Sequence, residues 1–366
     1  MLQTTHVTRL PDERLHDAVQ FAMAHENPAP RDLAHPDAGI FKLDRAPWNR
    51  LLGPTAPRGP VSGVIWRDGA EIVSFGEPDR ADFTFSVAKT YLALLAGVAA
   101  DRGLLIDLDE PVVSKIGGIG FDSGNNRAVT WRHLLQQTSE WEGECGGVPE
   151  QVDRYRTLSF QPGAPLGAKG DARPLQRPGT FWEYNDVRIN QLALALLYLF
   201  RRPLPEVFRE AISEPLGIDD QWEWLGYDES WVAIDGKRVQ SVPGGSHWGG
   251  GVRISARAQA RIGQMLLDRG VANGKRVLSA DWIDGLQAPC AIASFYGMLV
   301  WLNRMRQVFP SVPATSWFAI GHGGNITWID PVLRSVVVVR WMDLPHIDVF
   351  FGKIAAVLQP VGSRVL

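Results

Sequence analysis

The chain is 366 residues long, which at about 150 residues per domain leaves room for roughly two domains. Hydrophobic residues make up 45% and charged residues 21%, and 37 Gly with 25 Pro stay below a disordered or collagen-like content. Lys+Arg 37 against Asp+Glu 40 gives a formal charge of -3, so no global field would draw in nucleic acid or an acidic membrane.

Met1-Leu2-Gln3-Thr4-Thr5-His6 lacks the basic and then apolar pattern of a secretory signal. Every long apolar run carries Lys, Arg, Asp or Asn before it reaches the ~18–20 residues of a membrane span. The expectation is a cytoplasmic protein off the membrane. Cys145 and Cys290 stand far apart without neighbouring ligand clusters, so neither a disulfide framework nor a zinc site is expected, and no cofactor.

In chain order, residues 12 to 25 have the apolar spacing of an amphipathic helix. A Pro-rich stretch from 28 to 60 follows. Val61–Trp66 and Glu71–Phe75 flank Arg67-Asp68-Gly69, a hairpin signature because Asp-Gly supplies positive φ. Ser86 to Ala100 reads as a buried helix that Gly103 stops. From about 104 to 245 the pattern is mostly helical, at 131–137 and 187–201, and a Gly/Pro-rich segment at 143–180 interrupts it. A helix at 255–268 precedes strands at 295–302, 316–320, 325–329 and 334–342, with Asp330-Pro331 turning the last pair. Sheet-forming segments at both ends predict one sheet-containing domain from 1–85 and 244–366, with a mostly helical domain, 86–243, inserted.

Three stretches bear chemistry. Phe85-Ser86-Val87-Ala88-Lys89-Thr90 places Ser86 and Lys89 three apart on one helix face, and Lys89 is the only charge between Phe83 and Ala100. Either Ser86 is a nucleophile held by Lys89, its own N–H facing an oxyanion, or it caps the helix while Lys89 snorkels outward. In Pro178–Asp186, Tyr184 is a proton relay or part of an aromatic cluster, and Asp186 on its own reads as the N-cap of 187–201. Ile320-Gly321-His322-Gly323-Gly324-Asn325 is a strand edge that meets substrate, with His322 offering a hydrogen bond and the Asn325 N–H facing an oxyanion, or else a strain-relieving bulge.

The order S-x-x-K, Tyr, H-x-G resembles the serine β-lactamase/DD-peptidase superfamily, closest to its class C β-lactamase, D-aminopeptidase, family VIII esterase and 6-aminohexanoate-dimer hydrolase branch. Gly103–Val112, Trp131–Ser139 and Gly249–Ala256 are similar to further segments of that family. The resemblance implies an α+β, β-lactamase/transpeptidase-like fold, an antiparallel sheet flanked by helices with a helical domain beside it and the active site in the cleft between. It also implies an acyl-enzyme on Ser86, proton transfer by Lys89 and Tyr184, an oxyanion hole from the N–H groups of Ser86 and Asn325, and substrate contacts from His322, Gly323, Gly324 and Asp186.

Three departures stand out. Tyr184-Asn185-Asp186 puts a carboxylate where the family has Asn, and pairing with Lys89 would keep that lysine charged and make Tyr184 the base. His322-Gly323-Gly324 replaces the K-T-G of β-lactamases, and Glu140 stands where glycine is common. Hydrolysis of small esters or amides therefore ranks above class C β-lactamase or DD-peptidase activity and above a catalytically silent penicillin-binding-like sensor. Trp141, Trp182 and Trp248 are candidates for an apolar acyl pocket, though core positions are expected for most of the 14 Trp. No G-x-S-x-G elbow and no H-E-x-x-H occurs, which sets aside α/β-hydrolases and metal hydrolases. Oligomeric state is not readable.

Overall fold

A computed structural model describes residues 12–219 and 222–359, so the Met1–His6 reading falls outside the described residues. The helices are α1 Glu13–Ala24, α2 Val87–Asp101, α3 Trp131–Leu135, α4 Asp186–Phe200, α5 Leu204–Phe208, α6 Ala256–Leu267, α7 Ala280–Leu286 and α8 Ile347–Leu358. The strands that organise the site are β1 Ser62–Arg67, β2 Ala70–Phe75, β3 Asp82–Phe83, β4 Glu223–Leu225, β5 Gly251–Ile254, β6 Trp301–Leu302, β7 Trp317–Gly321, β8 Asn325–Asp330 and β9 Ser335–Arg340.

One antiparallel sheet runs β6-β7-β8-β9-β1-β2, and a three-stranded sheet runs β3-β5-β4. Because β1 pairs with β9 from Ser62↔Arg340 to Arg67↔Ser335, the two ends of the chain do build one sheet. The β1–β2 hairpin turns at Asp68 and Gly69, with φ of 51° and 81°, the left-handed pair its Asp-Gly called for. All six residues of β9 are buried, and its valines serve both faces. Val336 and Val338 meet Ala256 and Ala260 of α6, whereas Val337 and Val339 join the core that contains Phe350 and Phe351 of α8. At Gly263 a side chain would begin 2.6 Å from Val336 Cγ1, so α6 needs glycine to lie this close.

Several expectations need correction. Only Trp301–Leu302 of the 295–302 segment is strand, because the chain turns through Gly297 and Leu299, whose φ is 57° and whose N–H donates to Leu135 O at 2.9 Å. The stretch before 245 is less helical than expected, containing β4 and a hairpin of Trp231–Ile234 with Lys237–Gln240 around Asp235-Gly236, a second Asp-Gly turn. Helix α8 was not anticipated, although Ile347, Phe350, Phe351, Ile354, Ala355 and Leu358 follow helical spacing and all are buried. No helix among the described residues is long and apolar enough to cross a membrane.

Candidate active site

Strand β3 runs through Thr84 and Phe85 into α2. Phe85 has φ 50°, an unfavourable conformation for a bulky residue, and its ring is held edge-on by His322 at 5.2 Å and Trp341 at 5.9 Å. The bend sets Ser86 at the N-cap position of α2, yet its side chain makes no capping hydrogen bond. The hydroxyl oxygen instead accepts from Lys89 Nζ at 2.8 Å. Lys89 does not snorkel outward: it is 1% exposed, donates to Gly244 O at 3.3 Å and pairs with the Asp186 carboxylate. A side chain at Gly245 would start 3.3 Å from both Lys89 Nζ and Ser86 Oγ, so glycine there leaves the pair room.

Tyr184 is buried and stacks on Trp301 at 5.7 Å. Lys89 Nζ lies 4.9 Å and the Arg156 guanidinium 5.2 Å from its ring centre, while its hydroxyl hydrogen-bonds to neither Ser86 nor Lys89. The capping expectation for Asp186 fails, because Asn185 is the N-cap of α4, its side chain accepting from Arg188 N at 3.1 Å. Asp186 is the first helical residue and turns its carboxylate to Lys89, to Arg156 and to His247 Nδ1 at 3.0 Å. Burial opposes charge on this carboxyl, but Arg156, Lys89 and His247 outweigh it and hold it well below the usual carboxylate range.

Ser86, Tyr184, His322, Gly323 and Gly324 line one cavity of about 520 Å³. His322 is exposed and opens onto it. Asn325 lies outside the cavity wall: it pairs with Gly321 in the β7–β8 ladder and donates its amide to His322 O at 2.6 Å. Gly321 is the residue of this hairpin that meets Ser86. A side chain there would begin 2.1 Å from Thr84 O and 3.1 Å from Ser86 N, so β7 packs on the start of α2 only through glycine.

The sequence reading did not anticipate the ionic network behind the nucleophile. Arg156 donates to Asp153 at 3.2 Å as well as to Asp186. Lys169 pairs with Asp153 at 2.9 Å and with Asp44, which His247 Nε2 and Trp248 Nε1 also reach at 2.8 Å. Asp44, Asp153 and His247 bring ligating atoms within 4.8 Å of one another, but the Lys169 ammonium already sits against both carboxylates, where a cation would go. A second cluster joins Glu140, Glu150 and Glu183 to Arg154, Arg173 and Arg188, with Glu140 accepting from Arg173 twice at 2.6 Å. Trp141, Trp182 and Trp248 do not line the cavity: Trp141 and Trp248 are buried, and Trp182 packs on Phe295, Tyr296 and Trp301.

A model of the Beta-lactamase family matches residues 77–348, a span that contains the Ser86–Lys89 pair, Tyr184 and the Gly321–Gly324 turn. The chain belongs to the beta-lactamase family. It is 31% identical over 313 residues to a 6-aminohexanoate-dimer hydrolase of Paenarthrobacter ureafaciens, covering 79% of this chain and 73% of that protein. Its fold is similar to that of a D-stereospecific amidohydrolase from Streptomyces, with TM-score 0.57 and 15% identity over 93% of this chain and 98% of the other. A family VIII carboxylesterase is similar with TM-score 0.56 and 16% identity over 82% and 92%. This beta-lactamase-family chain is accordingly a hydrolase with the antiparallel sheet and flanking helices of that fold.

Proposed function

We propose that this hydrolase cleaves small esters or amides through an acyl-enzyme on Ser86. The observation that carries the reading is the 2.8 Å contact from Lys89 Nζ to Ser86 Oγ at the wall of a cavity shared with Tyr184. Lys89 faces three acceptors, Ser86 Oγ, Gly244 O and Asp186 Oδ1, which matches the three donors of an ammonium and leaves no lone pair for the serine proton. Lys89 then orients the hydroxyl, and the phenolate form of Tyr184, which the cations against its ring would favour, takes the proton as Oγ attacks the carbonyl and becomes the phenol. The proton passes to the departing alkoxide or amine. Water attacks the acyl-enzyme with Tyr184 again as base and releases the acid. In this reading the Ser86 N–H is one oxyanion donor, and the close approach of Gly321 to Ser86 N supports the second coming from the backbone of that turn.

The relatives named for amide and ester hydrolysis support this substrate class. His322, which lacks the permanent charge of a lysine, speaks against a β-lactam carboxylate grip at that turn, so β-lactamase or DD-peptidase activity stands second. With a small p-nitrophenyl ester the expected result is a burst of about one p-nitrophenolate per chain and a matching acyl adduct in the intact mass, both lost in Ser86→Ala. Saturable binding with no burst and no adduct would instead make the protein a ligand sensor.

A further inference from the structure

The walls of the cleft carry a charge asymmetry. No Asp or Glu lines the 520 Å³ cavity among the described residues, and its charged lining side chains are Arg156 and Lys169. Lys169 is saturated, its ammonium meeting Asp44, Asp153 and the Val152 carbonyl oxygen. Arg156 is not. It reaches Asp153 and Asp186 through Nη1 alone, and its Nε and Nη2 hydrogen-bond to nothing among the described residues. A buried guanidinium with one nitrogen committed and the rest of its fork free toward a cavity is a receptor for a planar anion.

Charge around it points the same way. Lys89, Arg156 and Lys169 balance Asp44, Asp153 and Asp186 one for one. His247 sits between Asp44 and Asp186, its ring nitrogens 2.8 and 3.0 Å from their oxygens, so all three carboxylates already face protein partners and none is left open to a cationic guest. The cavity wall also carries the apolar side chains of Leu43, Leu158, Phe160 and Leu344.

Resting on the esterase/amidase reading, we propose that Arg156 selects the substrate: an ester or amide with an apolar chain that ends in a carboxylate, which Arg156 binds, and without an ammonium group, which this cleft cannot neutralise. The 6-aminohexanoate-dimer hydrolase relative is named for a substrate built of amino acids, so the preference separates this chain from a simple transfer of that name.

The test compares p-nitroanilides of adipic, hexanoic and 6-aminohexanoic acids, which differ only in a carboxylate, methyl or ammonium end. The adipic compound is expected to have kcat/KM at least about tenfold above the ammonium compound, with the ratio collapsing toward one in Arg156→Gln. Because that change also disturbs Asp186, the ratio and not the rate is the readout, and Arg156→Lys, which keeps the charge without the fork, should restore part of it. In parallel, calorimetry on the wild-type chain compares hexanoate with hexylammonium, so the preference is decided even if no anilide turns over. Hexanoate binding tighter than hexylammonium, and weakened in Arg156→Gln, supports the assignment. Equal binding, an ammonium preference, or a ratio indifferent to Arg156 overturns it. Loss of all acylation with the binding preference intact would defeat the esterase/amidase reading and leave the anion site standing.

Discussion

In the proposed mechanism Lys89 and Tyr184 would divide the work of one base between two side chains, with Asp186 deciding the division. An amide at that position would leave Lys89 one anionic partner fewer; the carboxylate instead fixes the ammonium against Ser86 Oγ. The phenolate of Tyr184 would then be the group that accepts the serine proton. Tyr184→Phe is expected to slow acylation of a p-nitrophenyl ester by about 10²–10⁴-fold, the usual worth of a positioned acid–base group. The melting temperature should hardly move, because the Tyr184 hydroxyl makes no hydrogen bond to Ser86 or Lys89 and its ring stays stacked on Trp301. Acylation near the wild-type rate in that variant would return the base role to Lys89.

At the level of elements, the 143–180 segment shows how an irregular stretch is kept in place beside a cleft. Its anchors are ionic. Glu140 adopts φ 47°, the conformation glycine would take at this position, and its buried carboxylate holds Arg173 from the segment and Arg188 from α4. Burial works against charge on Glu140, but those two arginines outweigh it and lower its pKa. Removing one partner of such a buried set leaves the others uncompensated. Glu140→Ala is therefore expected to cost about 3–5 kcal/mol and to open Arg154, Arg156 and Lys169 to trypsin. A cleavage pattern unchanged from wild type would show that apolar packing alone holds the segment. The same contrast explains what was legible beforehand. Ser86, Lys89 and Tyr184 sit in short motifs on helix ends, and the β1–β2 hairpin announces itself by Asp-Gly, so local periodicity revealed them. Asp44, Asp153, Arg156, Lys169 and His247 are single polar residues in loops and one short 3₁₀ turn at scattered points of the chain, and no local spacing registers their convergence. Gly321 is a mixed case: its motif was visible, but only the packing of β7 on α2 shows that it, and not Asn325, abuts Ser86.

Across the whole molecule, the ionic network joins the N-terminal segment at Asp44, the cleft segment at Asp153, Arg156 and Lys169, helix α2 at Lys89, helix α4 at Asp186 and the turn at His247. Folding thus brings carboxylates and cations from five stretches of chain into one desolvated site, and their mutual dependence makes acid a specific threat. Burial disfavours ionised Asp153, yet Lys169, Arg156 and His247 outweigh it and bring its pKa down to about 2; Asp186 is lowered by the same kind of neighbours. An unfolded aspartate titrates near 3.9, so between about pH 4 and pH 2 the unfolded chain holds protons that the native network refuses. Stability from these groups is complete above about pH 4 and drains away as pH falls through the folded values. Thermal melts from pH 6 to pH 2 should show a melting temperature that drops steeply below about pH 4. Asp153→Asn is expected to melt lower at pH 6, because Lys169 and Arg156 lose a counter-charge, and to lose less on acidification, because one of the proton-refusing groups is gone. Parallel pH profiles for the two proteins would mean that the acid sensitivity arises elsewhere, and that the network joining the segments around the nucleophile contributes no more to stability than ion pairs at the surface.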